Sequence, residues 1–242
     1  MLTMFYQAVS LTHIILGTAA LLLFWWPVLS KKGSAVHRRT GHYYSLCMHS
    51  VAASGIVMTL LVWGAPLAAK PELMARALTE PQLYQRLMDQ NSFLFLLSLL
   101  TWVTIRHAQL ALKTRQDRRL LRHWAVLGPV LLLVAVSAAV LRQQGAYQPL
   151  VLVFSLISLG TAAGILRYTF ARNTTANAWL VEHAVAMLAS GIAAYTAFSA
   201  FGGRVLLSSL LQGYWQMLPW LLPTLIGLPA IFWYRRKLNQ AS

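Results

Sequence analysis

The stretch His37-Arg38-Arg39-Thr40-Gly41-His42-Tyr43-Tyr44-Ser45-Leu46-Cys47-Met48-His49 decides how this chain is read. It lies between two long apolar runs, roughly 5–29 and 41–63. Its first part is basic, and its second part passes without a break into apolar sequence. A basic turn between two runs of about 20 apolar residues is the signature of a cytoplasmic connection between membrane spans. Working outward, five further runs qualify, at 92–112, 122–141, 147–169, 177–202 and 215–235. Lipid offers no partner to an unpaired backbone N–H or C=O, so runs of this length read as helices. The fold class is all-α: a polytopic membrane helical bundle of about seven spans, forming one transmembrane domain over residues 1–242.

Composition points the same way. Of 242 residues, 58% are hydrophobic and only 10% charged, whereas a soluble domain carries about 25% charged residues. The net charge of +15 would by itself suggest nucleic acid. The bases, however, fall in short clusters between apolar runs, so the expected partner is the lipid bilayer and not nucleic acid. The lone Cys47 excludes an intramolecular disulfide, a CxxC motif and a zinc ribbon, and reads as a small packing residue. The start, Met1-Leu2-Thr3-Met4-Phe5, has no basic region and no small-residue cleavage site, so the first run reads as a retained span.

The basic residues also set an orientation. Fifteen of the twenty lie on one side: Lys31, Lys32, Arg38 and Arg39; Arg106, Lys113, Arg115, Arg118, Arg119 and Arg122; Arg167 and Arg172; Arg235, Arg236 and Lys237. Lys70, Arg76, Arg86, Arg142 and Arg204 lie on the other. Positive charge is retained inside, so the N-terminus is expected outside and the C-terminus in the cytoplasm. Trp25, Trp26, Trp124, Trp179 and Trp233 mark the inner boundary, Trp63, Trp215 and Trp220 the outer one, and Trp102 is mid-helix. The longest connection, 64–91, is external, with Pro66, Pro71 and Pro81 and with Glu72, Glu80 and Asp89 among its bases. Leu73, Leu78, Leu83 and Leu87 predict one or two short amphipathic helices on the outer surface, a passive element ahead of a lid. Gly160-x-x-x-Gly164, Ser50-x-x-x-Ser54 and Ser190-x-x-x-Ala194 read as intramolecular packing motifs. Pro219, Pro223 and Pro229 predict a kinked last helix.

Ionisable groups inside a span are costly and each is a functional hypothesis. His49 lies about two turns into the second helix, with His42 on the same face about 10 Å away along the axis. His183 lies at similar depth in the sixth helix, with Glu182 beside it and Met187 one turn further on. Three readings stay open. His49 and His183 are the axial pair that haem b needs, with a basic rim for its propionates and a quinone or membrane redox partner for its electrons. The same pair with Glu182 and Met187 suits a metal ion or a proton carrier. Or the imidazoles bond between helices in an accessory subunit of a larger membrane complex. His13, nearer the outer leaflet, has no histidine partner there, which leaves a second haem unsupported. Glu182 reads as the one carboxylate in or at the edge of a span, pairing with His183, Arg172 or a base of Arg115–Arg122. His107 and His123 flank the connection after the third span. His123 among Arg118, Arg119 and Arg122 predicts contact with anionic lipid headgroups at the cytoplasmic face, with an anionic substrate as the alternative. No phosphate loop, nucleophile elbow, HExxH motif or acid pair is present.

His37-Arg38-Arg39-Thr40-Gly41-His42-Tyr43-Tyr44 resembles the His-Arg-x-x-Gly-x-x-Tyr motif of a family of uncharacterised bacterial multi-spanning membrane proteins. The stretch from Trp179 through Glu182, His183 and Met187 to Tyr195-Thr196-Ala197-Phe198 looks like that family's late helix. The resemblance implies a bacterial cytoplasmic-membrane location and carries no activity with it.

Overall fold

A computed structural model describes residues 1–172, 174–199, 213, 215 and 218–240, the side chains of residues 220 and 238–240 lying outside the description. Among the described residues there are nine α-helices and no strand. In chain order they are α1 (Leu2–Leu29), α2 (Ala35–Gly64), α3 (Pro66–Ala69), α4 (Pro71–Thr79), α5 (Pro81–Thr114), α6 (Trp124–Gln144), α7 (Pro149–Phe170), α8 (Ala178–Ala197) and α9 (Leu218–Gln240). Six of them, α1, α2 and α5 to α8, are long and apolar enough to cross a membrane. Leu11, Ile14, Ile15 and Leu22 on α1 and Leu131 and Leu132 on α6 are exposed. Apolar surface spread along helices in this way is tolerated by lipid and not by water. The protein is a multi-pass, all-α integral membrane protein.

The seventh predicted run, 215–235, holds α9, which begins at Leu218 and is not among the six. Pro223 and Pro229 lie inside it, as expected, and Pro219 falls in its first turn, where a missing N–H costs nothing. Arg204 and residues 200–202 of the predicted sixth span lie outside the described residues.

The backbone gathers into two compact units. One comprises Met1–Trp102 and Ala135–Ser158, the other Val103–Val134 and Leu159–Ser242, with the divisions falling inside α5, α6 and α7.

In the first unit α1 and α2 form an antiparallel hairpin. Phe24 meets Tyr44, a Cβ on Gly17 would meet Val51, and His13 meets Ser54, so residues pair at a nearly constant sum of positions, as antiparallel helices do. The quoted basic stretch closes this hairpin. Ser34 Oγ accepts the His37 N–H at 3.1 Å and caps α2, which places His37 to Arg39 in the helix and not in the turn before it. The Pro27 carbonyl, near the end of α1, accepts from Lys32 Nζ at 2.8 Å and from His37 Nδ1 at 3.0 Å. Orphan carbonyls at a helix C-terminus are thus satisfied from across the turn. Gly33 makes the turn with a φ of +76°, which suits a residue without a Cβ. Gly55 lets α5 approach: a Cβ there would collide with Ser98 Oγ and lie 3.7 Å from the His13 ring.

The connection after α2 differs from the expected 64–91 loop. It does hold two short helices, α3 and α4, whose Ala69, Met74 and Ala77 pack with Val62, Tyr6 and Leu61. Leu83 and Leu87 join the same cluster but from α5, which starts at Pro81. Proline presets the first helical turn, and no helix breaker follows before Thr114. At 34 residues α5 is about 51 Å long, well beyond a hydrocarbon core of about 30 Å. It is also the most enclosed of the spanning helices.

In the second unit α8 packs on α9. Ile192 of α8 occupies the space that a Cβ on Gly227 would take. The basic connection after α5 turns back on α7. Arg118 donates to the carbonyls of Tyr168 at 2.7 Å and Ala171 at 2.9 Å, and Arg122 to that of Thr169 at 3.4 Å. The expectation of close packing at Gly160-x-x-x-Gly164 is not met among the described residues, where a Cβ at either glycine has no atom within 4 Å.

Candidate functional site

The polar chemistry of the second unit lies between α5 and α8, on two consecutive rungs. His107 Nε2 stands 3.0 Å from Glu182 Oε2, with His107 buried and Glu182 about a quarter exposed. Next to it, His183 Nδ1 stands 3.0 Å from the Ala108 carbonyl oxygen. Helical spacing explains the doubling: adjacent residues on each helix straddle the line of contact.

The two rungs have different chemistry. A carbonyl only accepts, so the His183 Nδ1 carries the proton and, in the neutral ring, the Nε2 carries the lone pair. The His107–Glu182 contact works either way round. Imidazole N–H donates to carboxylate, or carboxylic acid donates to imidazole, and in both forms one proton lies on the line. The Tyr168 ring stands edge-on to His107 at 5.8 Å. Both expected sets of partners for Glu182, His183 on one hand and Arg172 or the Arg115–Arg122 bases on the other, give way to His107. His107 read in the sequence as a flank of the basic connection, but α5 runs on to Thr114 and keeps it inside the helix. The only hint was its position one residue before Ala108, on the apolar face that carries Leu100, Val103 and Thr104.

The remaining candidates spread out. His49 is partly buried on α2, in the first unit, while His183 and Met187 belong to the second. Met187 offers its carbonyl to Ser190 Oγ at 2.7 Å. His13 Nδ1 stands 2.9 Å from Ser54 Oγ. That hydroxyl spends its own hydrogen on the Ser50 carbonyl at 2.7 Å or on Val51, so the imidazole is the donor. His42 is exposed beside Tyr43. His123 is exposed and accepts the Ala125 N–H at 3.2 Å, an N-terminal cap for α6. Around it, Arg118 and Arg122 are engaged with α7 carbonyls, and Arg115 lies over the Trp179 ring. Among the described residues, no three His, Cys, Asp or Glu side chains gather where they could hold a metal ion.

A second carboxylate was missed. Asp89 sits inside α5 and is 4% exposed, so Glu182 is not alone. Gln85 Nε2 donates to its Oδ1 at 2.8 Å and the Tyr147 hydroxyl to its Oδ2 at 3.3 Å. Lost hydration and then the Asp89 charge push the Tyr147 phenol up, so it stays a donor. Gln144, fully buried, donates from Nε2 to the Asp89 carbonyl at 3.1 Å. The signal available in sequence was Pro81 as a helix start, which turns 82–91 from loop into helix.

No protein-family profile, curated protein or solved structure matches the chain.

Proposed function

We propose that this multi-pass membrane protein is a proton-coupled carrier whose proton-handling centre is the His107–Glu182 pair. One observation carries the reading: an imidazole and a carboxyl group 3.0 Å apart, largely withdrawn from water, on helices built to span a membrane. A lone charge at such a place is expensive, and each of the two groups gives the other a polar partner. That is how membrane proteins hold an exchangeable proton without a permanent buried charge. The fifteen-to-five split of basic residues supports an N-terminus outside and a C-terminus in the cytoplasm. The exposed Lys113, Arg115 and Arg119 support contact with anionic headgroups on that side. The family resemblance supports a bacterial cytoplasmic membrane.

The test is proton flux into proteoliposomes that enclose a pH-sensitive dye, driven by a potassium diffusion potential. Glu182→Gln keeps a hydrogen-bonding partner for His107 and removes the exchangeable proton. Flux is expected to fall at least tenfold while the melting temperature stays within a few degrees. Flux that is unchanged in Glu182→Gln sinks this reading.

A second reading rests on the other rung. A ligating imidazole usually gives its second N–H to a carbonyl or carboxylate, and His183 does so to Ala108. We keep haem b as its proposed ligand, with a quinone or membrane redox partner for electron transfer. Haem would supply one-electron redox chemistry, and this chain would supply the oriented Nε2 and an apolar surround. Protein expressed with haem supply is expected to show a Soret band that moves on reduction and weakens in His183→Ala. A colourless wild-type preparation, or a band indifferent to His183→Ala, ends this reading and leaves both rungs as interhelical bonds.

A further inference from the structure

We propose that Asp89, Gln144 and Tyr147 form a binding site for a monovalent alkali cation, with sodium as its ligand. This site lies wholly in the first unit and does not rest on the His107–Glu182 reading.

Three observations carry it. First, Asp89 is a buried carboxylate with no Lys, Arg or His within ion-pair distance among the described residues. Its side-chain contacts are an amide and a phenol, which soften its charge and do not cancel it. Second, Gln144 is fully buried, and among the described residues its Oε1 has no hydrogen-bond partner. Flipping the amide does not help, because Nε2 already donates to the Asp89 carbonyl and a flip would set oxygen against oxygen. An orphan buried acceptor calls for a donor or a cation. Third, the side chains meet at the α6–α7 connection, where Tyr147 is 60% exposed and touches the Asp89 carboxylate.

A single ligand answers both deficits. A bound water would satisfy Gln144 and leave the Asp89 charge uncompensated. A divalent ion would reverse that charge, and calcium would want six or more oxygens. A monovalent cation neutralises one carboxylate and accepts the Gln144 carbonyl and the Tyr147 phenol oxygen as neutral ligands.

The experiment is the melting temperature of the detergent-purified full chain at pH 8. Sodium chloride is titrated against choline chloride at constant ionic strength. Wild-type protein is expected to gain roughly 5 °C with saturating sodium at pH 8. Asp89→Asn is isosteric and removes the charge, so it should melt near the sodium-saturated wild type and ignore sodium. Tyr147→Phe, at an exposed position, should fold normally and need severalfold more sodium. A wild-type melting point indifferent to sodium would overturn the cation site. A sodium gain that persists in Asp89→Asn overturns it as well. None of these readings involves transport, so their failure is separable from failure of the proton-carrier reading.

Discussion

At the scale of single residues, the two rungs between α5 and α8 differ in what they tolerate. His107 is almost fully enclosed and Glu182 is not, so removing the imidazole strands the carboxyl group without its partner. Breaking one side of a buried pair typically costs about 3–5 kcal/mol. Glu182 keeps some solvent, so His107→Phe is expected to fall at the lower end of that range. It should lower the melting temperature by roughly 6 °C or more. The double substitution His107→Phe, Glu182→Leu removes both polar groups and should recover much of the loss. If the double variant melts no higher than His107→Phe alone, the stranded carboxyl is not the cause. None of this pairing was legible beforehand. His107 and Glu182 are 75 positions apart, and Asp89 and Gln144 are 55 apart. No periodicity reports which residue of one helix meets which residue of another. What the sequence did carry was the cost argument: a carboxylate in an apolar helix must have a partner, whatever its identity.

At the scale of elements, most of the helices were readable, because an apolar run of about 20 residues has few other fates. The first helix, the sixth and the seventh lie close to their predicted runs. The errors share a cause. Polar residues flanking a run were assigned to loops, although helices extend past the hydrocarbon wherever a cap or a proline starts them earlier. Ser34 starts α2 before its apolar run, and Pro81 starts α5 well before Phe93. Glycine spacing is a poor guide to packing: among the described residues the motif at Gly160 and Gly164 meets nothing, while Gly55, outside any such motif, holds Ser98 close. Gly55→Leu should therefore destabilise by about 1–3 kcal/mol through overpacking at the α2–α5 contact. Gly160→Ala should instead be neutral or gain up to about 1 kcal/mol in helix propensity. Thermal unfolding of the two variants in one detergent gives the comparison, and equal melting points would refute the assigned contact.

At the scale of the whole molecule, the two units hold different resources. The first has the α1–α2 hairpin, the buried Asp89 and His49. The second has the His107–Glu182 pair, His183 and the basic connection bound to α7. The closure of that hairpin has a consequence for how the protein is made. Lys32 and His37 fasten onto the Pro27 carbonyl, and Ser34 starts α2, all within eleven residues, Pro27 to His37. Every group needed to join the first two helices is therefore present once residue 64 has left the ribosome. The pair should enter the bilayer as a preassembled insertion unit, ahead of any later span. Nascent chains arrested at about residue 105, with cysteines at Gly17 and Val51 in a Cys47→Ser background, are expected to crosslink already at that length. Crosslinking that appears only after α5 to α8 have been synthesised would show that the hairpin waits for the rest of the chain.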